Sequence, residues 1–179
     1  MREYHHLYEK IAMIGKEKLR EGGLCLMYIE NHHLGKIHKL VSPYLEYYML
    51  FILTNNDFFR RLPFTQINPR YRPVLGMVKG KIGERHGTID DILPTSKPEK
   101  KHHPWQQDVG PQIRLIEHFT KVGGTVFDPM GGSMTTGVAC LHTGRKFIGA
   151  EIDKDNFLLG KHRLEEDVIQ LVKITPNAA

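Results

Sequence analysis

Apolar residues recur along this chain at helical spacing, then at strand spacing, and then in alternation to the end. Tyr4, Leu7, Tyr8, Ile11, Ile14 and Leu19 follow a helical period and predict an amphipathic helix from Met1 to Arg20, stopped by Gly22-Gly23. Leu24 to Ile29 is a short apolar run between turn signals, hence a buried strand. Leu34, Ile37 and Val41 mark a second helix that Pro43 ends. Tyr47 to Leu53, rich in aromatic and branched residues, is the clearest strand. Asn55 to Pro69 is polar and irregular, and Pro73 to Lys79 is a further strand. Lys81 to His102, with its prolines, glycines and charge run, reads as a linker.

Past the linker the alternation resumes. Pro111 suits the first turn of a helix whose apolar positions are Ile113, Ile116 and Phe119, and Gly123-Gly124 stops it. Thr125-Val126-Phe127 is a strand, Gly137 to Thr143 a helix, and Phe147 to Ala150 another strand. Asp155 is the expected cap of a last helix with Leu158, Leu164, Val168 and Leu171 as its apolar positions. Thr175 to Ala179 reads as a frayed tail. Strands and helices in alternation predict an α/β fold with a mostly parallel sheet. The expected organisation is a single domain over 1–179, with a first half at 1–80, a linker at 81–102 and a second half at 103–174.

Composition changes this picture little. The length of 179 residues suffices for a full core, and a hydrophobic fraction of 40% argues against disorder. A net charge of +5 suits an anionic partner without establishing nucleic-acid binding. Cys25 and Cys140 sit in apolar runs and read as buried, reduced thiols of a cytoplasmic protein. No secretory signal or transit peptide is evident, and Tyr47 to Leu53 is too short to span a bilayer.

The chemistry concentrates between Thr125 and Asp153. A strand ends on Asp128-Pro129, a small-residue turn follows from Met130 to Thr136, and the next strand ends on Glu151. This reads as one half of a nucleotide-type crevice, with an acid placed to accept hydrogen bonds from ribose hydroxyls. There is no G-x-G-x-x-G and no G-x-x-x-x-G-K-[ST] to cradle phosphates. Asp128 at the loop mouth would repel a pyrophosphate. It suits a ligand with an adenosine at one end and positive charge at the other, as in S-adenosylmethionine. The alternative is a plain βαβ unit with a tight turn.

The run Asp128-Pro129-Met130-Gly131-Gly132-Ser133-Met134-Thr135-Thr136 resembles the D-P-F-x-G-S-G-T-T loop of DNA methyltransferases that act on exocyclic amines of adenine or cytosine. Gly144 to Asp153 is similar to their G-R-x-x-I-G-x-E-I-D segment, and His103-Pro104-Trp105-Gln106-Gln107 to their H-P-[TW]-[EQ]-[KQ] element. Leu19-Arg20-Glu21-Gly22-Gly23 resembles L-K-P-G-G, and Tyr71 to Gly80 resembles Y-x-P-[IL]-L-x-x-x-K-G. The likeness runs in one consistent order from Leu19 to Leu164. It implies a doubly wound, Rossmann-like methyltransferase sheet with helices on both faces, in the family's permuted order, and S-adenosylmethionine as cofactor. The cofactor contacts implied are Gln106, Asp128, Pro129, Met130, Gly131, Gly132, Ser133, Thr135, Glu151 and Asp153. DNA is the implied partner, with Arg60 and Arg61 in a loop the family turns toward it.

Three departures stand out. Met130 replaces the usual Phe. Met134 replaces the second loop glycine, in a place where Met adopts neither φ > 0 nor close packing freely, so Met134→Gly is expected to tighten cofactor binding. The family's catalytic element, [DNS]-P-P-[YFW], has no counterpart, because no Pro-Pro pair occurs in the sequence. No catalytic residue is therefore assigned. The sheet is expected to be incomplete, and the chain to be a fragment or split half completed by an N-terminal segment or second polypeptide. The alternatives are a non-catalytic DNA- or cofactor-binding module and an assembly subunit. The pairs His5-His6, His32-His33 and His102-His103 read as solvated surface histidines, and no metal is expected.

Overall fold

The computed structural model describes residues 2–54, 66–96 and 108–174. They fall into two compact units, the described residues within Met1–Arg85 with Asp90–Thr95, and those within His86–Ile89 with Ser96–Ala179.

In the first unit, α1 (Arg2–Lys18) leads through Gly22, in the left-handed region at φ 70°, into β1 (Leu24–Tyr28). A short 3-10 turn, Asn31–His33, precedes α2 (Leu34–Val41), and β2 (Glu46–Thr54), β3 (Tyr71–Val78) and β4 (Ile92–Pro94) follow. The strand order is β1-β3-β2-β4. β3 is antiparallel to both neighbours, pairing Leu75 with Met27 and with Leu50, while β4 runs parallel to β2.

Two expectations change here. The first sheet is mainly antiparallel, because no helix intervenes between β2 and β3 among the described residues to carry a parallel crossover. The stretch read as linker contains β4, whose Leu93 is fully buried. Three residues, the last a proline, are too few to carry a strand period.

The core of this unit is apolar. Tyr8, Ala12, Met27, Ile29, Ile37, Val41, Leu45, Leu75 and Met77 form one buried cluster where the two helices meet the sheet. Each large side chain contributes about 1.5–3 kcal/mol on burial. The Leu19–Gly23 turn is tied to the end of β3. Gly22 N–H donates to the Lys79 carbonyl at 2.8 Å, Lys79 N–H to Gly23 at 3.0 Å, and Lys79 Nζ to the Leu19 carbonyl at 2.7 Å. His5 is not a solvated histidine. It is 7% exposed, and its Nε2 lies 3.2 Å from His33 Nδ1.

In the second unit, α3 (Gly110–Phe119), β5 (Thr125–Asp128), α4 (Thr135–Thr143), β6 (Lys146–Gly149) and α5 (Lys154–Ile174) follow in order. Pro111 sits in the first turn of α3, as its missing N–H allows. β5 and β6 pair in parallel, Thr125 with Lys146 through Asp128 with Gly149. A small cluster of Ile116, Ala139 and Cys140 packs with Val109, Ile113, Val126 and Phe147. Burial pushes the Cys140 thiol up to about 11 and that of Cys25 up to about 12.

The cap of α5 is Asp153, whose Oδ1 accepts from Asn156 N–H at 2.8 Å, and not Asp155, which lies inside the first turn. The helix also turns a different face inward from the one its apolar residues predict. Leu158 and Val168 are exposed, whereas Gly160 and Arg163 are buried. No helix among the described residues is long and apolar enough to cross a membrane.

Candidate functional site

Parallel pairing of β5 and β6 brings Asp128 and the residues after Gly149 to the same end of the strands. In open α/β sheets that end is where ligands bind. The loop from Pro129 to Met134 crosses it, and the backbone N–H groups of Met130, Gly131, Gly132 and Met134 all have partners.

Asp128 holds both ends of the turn. Its Oδ1 accepts from Met130 N–H at 3.0 Å and its Oδ2 from the Thr136 hydroxyl at 2.7 Å. Gly131 N–H donates to the Ala150 carbonyl at 2.8 Å, extending the β5–β6 pairing past the strand ends. Gly132, at φ 50°, turns its N–H toward Glu151, which accepts through Oε2 at 2.7 Å. The other oxygen of Glu151 accepts from Asp153 N–H at 2.9 Å. One carboxylate therefore bridges the glycine loop to the start of α5.

Met134 occupies the left-handed region, at φ 56° and ψ 34°, immediately before α4. The expected obstacle to a positive φ at this residue is overcome by packing. Its side chain is 3% exposed and lies where a Cβ on Gly131 or Gly160 would collide with it. The thioether thus fills a slot whose walls lack side chains. Met is long and unbranched enough to fill such a slot.

Beneath the loop lies Arg163, 5% exposed. Its Nη1 donates to the Ser133 carbonyl at 2.9 Å and to Thr135 Oγ1 at 3.0 Å. Burial pulls the guanidinium below its usual pKa, with Asp167 opposing. A second arginine closes the far end of the unit. Arg145 donates through Nε and Nη2 to the Thr120 carbonyl at 2.9 and 2.6 Å, and through Nη1 to Thr143. It satisfies the last carbonyls of α3 and α4 and places positive charge where helix dipoles favour it.

The expected cofactor residues divide into groups. Asp128, Pro129, Met130, Gly131, Gly132 and Glu151 gather at the strand ends, and Met130 is 47% exposed there. Ser133 and Thr135 are buried, their hydroxyls 3.3 Å apart. Asp153 caps α5. Gln106, Arg60 and Arg61 lie outside the described residues.

Sequence reasoning missed Arg163 and the tie from Thr136 to Asp128. The signal for Arg163 was Gly160, a glycine inside a helix where it costs about 0.5–1 kcal/mol and so marks a close approach. The residue one turn on, Arg163, shares its face.

The family model described as DNA methylase, of N6/N4 type, matches residues 2–161. Over 67 residues, 37% of this chain and 23% of the relative, the sequence is 39% identical to the DNA adenine methyltransferase YhdJ of Escherichia coli (strain K12). It is 28% identical over 190 residues to the type II methyltransferase M2.DpnII of Streptococcus pneumoniae, covering 92% of this chain and 69% of that one. The solved structure of an M1.HpyAVI–SAM complex matches with a TM-score of 0.77 at 23% identity, over 92% of this chain and 84% of that chain. The chain spans 39% and 23% of the length of two Escherichia coli relatives that it matches.

Proposed function

The chain belongs to the N6/N4 DNA methylase family, and from that membership we propose that it binds S-adenosylmethionine at the glycine loop and serves methylation of an exocyclic amine of adenine or cytosine in DNA. One observation carries the reading. Glu151 already accepts one N–H on each of its oxygens, from Gly132 and Asp153. A carboxylate has about four lone-pair sites, so one remains on each oxygen, as the two hydroxyls of a ribose require. Asp128 likewise keeps one acceptor site on each oxygen, with its charge at the loop mouth for an ammonium or sulfonium group. The residues present fit this cofactor.

Bound S-adenosylmethionine supplies an electrophilic methyl group. The chain's residues hold the ribose through Glu151 and attract the positive end through Asp128, with Gln106 at the methionine end. An exocyclic amine is a poor nucleophile whose N–H needs an acceptor. With no Pro-Pro pair in the sequence, that acceptor comes, on this reading, from a complementary N-terminal segment or a second polypeptide bearing [DNS]-P-P-[YFW]. Arg60 and Arg61 then contact the DNA backbone, and the site of action is the cytoplasm. A second reading, a cofactor- or DNA-binding module without chemistry of its own, is favoured by the same missing pair.

Calorimetry on Glu151→Ala should show a loss of about 1.5–3 kcal/mol in cofactor binding, the range for hydrogen bonds to a charged group. Equal affinity removes the role of Glu151, and absence of binding by the unaltered protein removes the cofactor reading. A tritium-transfer assay on duplex DNA, with and without a D-P-P-Y segment, separates the two readings of the chemistry. Transfer only with the segment supports the split enzyme, and none in either case supports the module.

A further inference from the structure

We propose that Arg163 is a positioning residue for the cofactor loop, one that holds the loop in its binding shape from behind. The proposal rests on the cofactor reading of the loop. Two residues of three, Gly132 and Met134, are left-handed, at φ 50° and 56°. Such a turn is not a low-energy path for a methionine, and it persists only where its surroundings over-determine it. On the ligand side, Glu151 fixes Gly132 N–H. On the other side, Arg163 takes the carbonyl of Ser133, the peptide group between the two left-handed residues, and the hydroxyl of Thr135 that opens α4.

The location argues against a purely stabilising role. Arg163 lies beneath the N-terminus of α4, where the helix dipole disfavours a cation. A buried ion in such a place commonly loses to an apolar side chain of equal volume in stability alone. What an apolar residue cannot supply is two donors at fixed angles to a carbonyl and a hydroxyl. Gly160, one turn before Arg163, brings α5 so close that a Cβ there would lie 2.9 Å from the Gly132 carbonyl. The helix therefore backs directly on the loop, and the guanidinium has little room to reach other partners. Without it the Ser133 carbonyl turns elsewhere, the Gly132–Met134 turn relaxes, and the N–H that Glu151 accepts moves with it. Affinity then falls in proportion to the fraction of molecules whose loop is competent.

The test measures S-adenosylmethionine binding by calorimetry and stability by chemical denaturation, on the full chain and on Arg163→Met and Arg163→Lys. If one loop in ten remains competent, Arg163→Met raises the dissociation constant about tenfold. Both bonds leave from Nη1, so Arg163→Lys, whose single ammonium nitrogen sits on a shorter stem and carries no planar group to fix its angles, should fall between. A folded Arg163→Met with the affinity of the unaltered protein overturns the proposal, whatever its stability. Should that variant not fold, Arg163→Lys carries the test: a dissociation constant raised about threefold supports the role, being half the tenfold effect in free energy, and an unchanged one overturns it. If the unaltered protein does not bind the cofactor, the cofactor reading fails first. Arg163 is then judged by amide exchange of 131–135. Faster exchange in Arg163→Met, with α3 unchanged, supports the loop-holding role, and equal exchange overturns it.

Discussion

Leu75, on β3, and Arg163, beneath the glycine loop, are both buried, and they do opposite kinds of work. Around Leu75, in the sheet of β1 to β4, Ile37, Val41, Val74 and Met77 are wholly buried and the polar ties lie at the rim. Around Arg163 the buried groups include Ser133 and Thr135, and the loop is shaped by a guanidinium and two carboxylates. Apolar burial is non-directional, so it fixes how much is packed more strongly than it fixes angles. Hydrogen bonds to charged groups fix angles. The first unit therefore gains stability from its core, and the second gains a loop geometry that a βαβ unit with a tight turn does not require.

Truncating the apolar core should have the largest effect. Leu75→Ala is expected to lower stability by about 2–5 kcal/mol. Among molecules that remain folded, cofactor affinity should be unchanged, since no loop group is touched. A changed dissociation constant at concentrations where the variant is folded would break the division of labour.

Gly160→Ala comes next. On an exposed helix it would add up to about 1 kcal/mol of stability. Here the new Cβ meets Met134 Cγ and, at 2.9 Å, the Gly132 carbonyl. Backbone cannot rotate aside as a side-chain tip can, so a loss of about 1–3 kcal/mol is expected. A gain in the melting temperature would mean that α5 does not back on the loop.

Met134→Gly, expected from sequence to tighten cofactor binding, now has two opposed terms. Glycine relieves a left-handed residue, worth about 1–2 kcal/mol. It also empties the slot beside Gly131 and Gly160, and loss of a buried methionine side chain costs about 2–5 kcal/mol. The net is a loss of about 0–4 kcal/mol, with cofactor binding weakened or equal. Denaturation and calorimetry on the same preparation decide it, and tighter binding would restore the sequence-based expectation.

These residues also show what was legible in the sequence. The Rossmann-like α/β methyltransferase class and most elements were, because Tyr47 to Leu53 and the helix-strand alternation around Asp128 carry strong periods, and the motif order carried the rest. The short strand β4 was not, since Ile92-Leu93-Pro94 is too brief for any period. The antiparallel pairing of β2 with β3 depends on what connects them, not on either strand's pattern. At the site, Asp128 and Glu151 were legible as acids at strand ends. Their bonds to Thr136 and Gly132 were not, nor was the burial of Arg163. Its helix carries apolar residues that face outward, and no sequence period announces a buried cation.

The smallest effect probes a titratable tie in the apolar unit. His5 and His33 are joined at 3.2 Å, which requires one imidazole to donate and the other to accept. Loss of water around His5 lowers its pKa, and so do Lys36 and His6. Loss of water also lowers that of His33, assisted by His32, His5 and Lys36, with only Glu30 opposing. Both rings are therefore neutral in the folded chain at neutral pH, while the unfolded chain takes up protons near the ordinary value of about 6.5. Between the two values the unfolded state binds more protons, so stability rises with pH. The contribution is present above about 6.5 and is lost as pH falls through that value toward the lower folded ones. Thermal melts at about pH 7.5 and 5.5 should show the unaltered protein losing stability between them, above the range where carboxylates titrate. His5→Phe, which removes the pair and one titrating ring, should flatten that slope. Equal slopes for the two proteins would mean that the histidine pair contributes nothing to the pH dependence of the first unit.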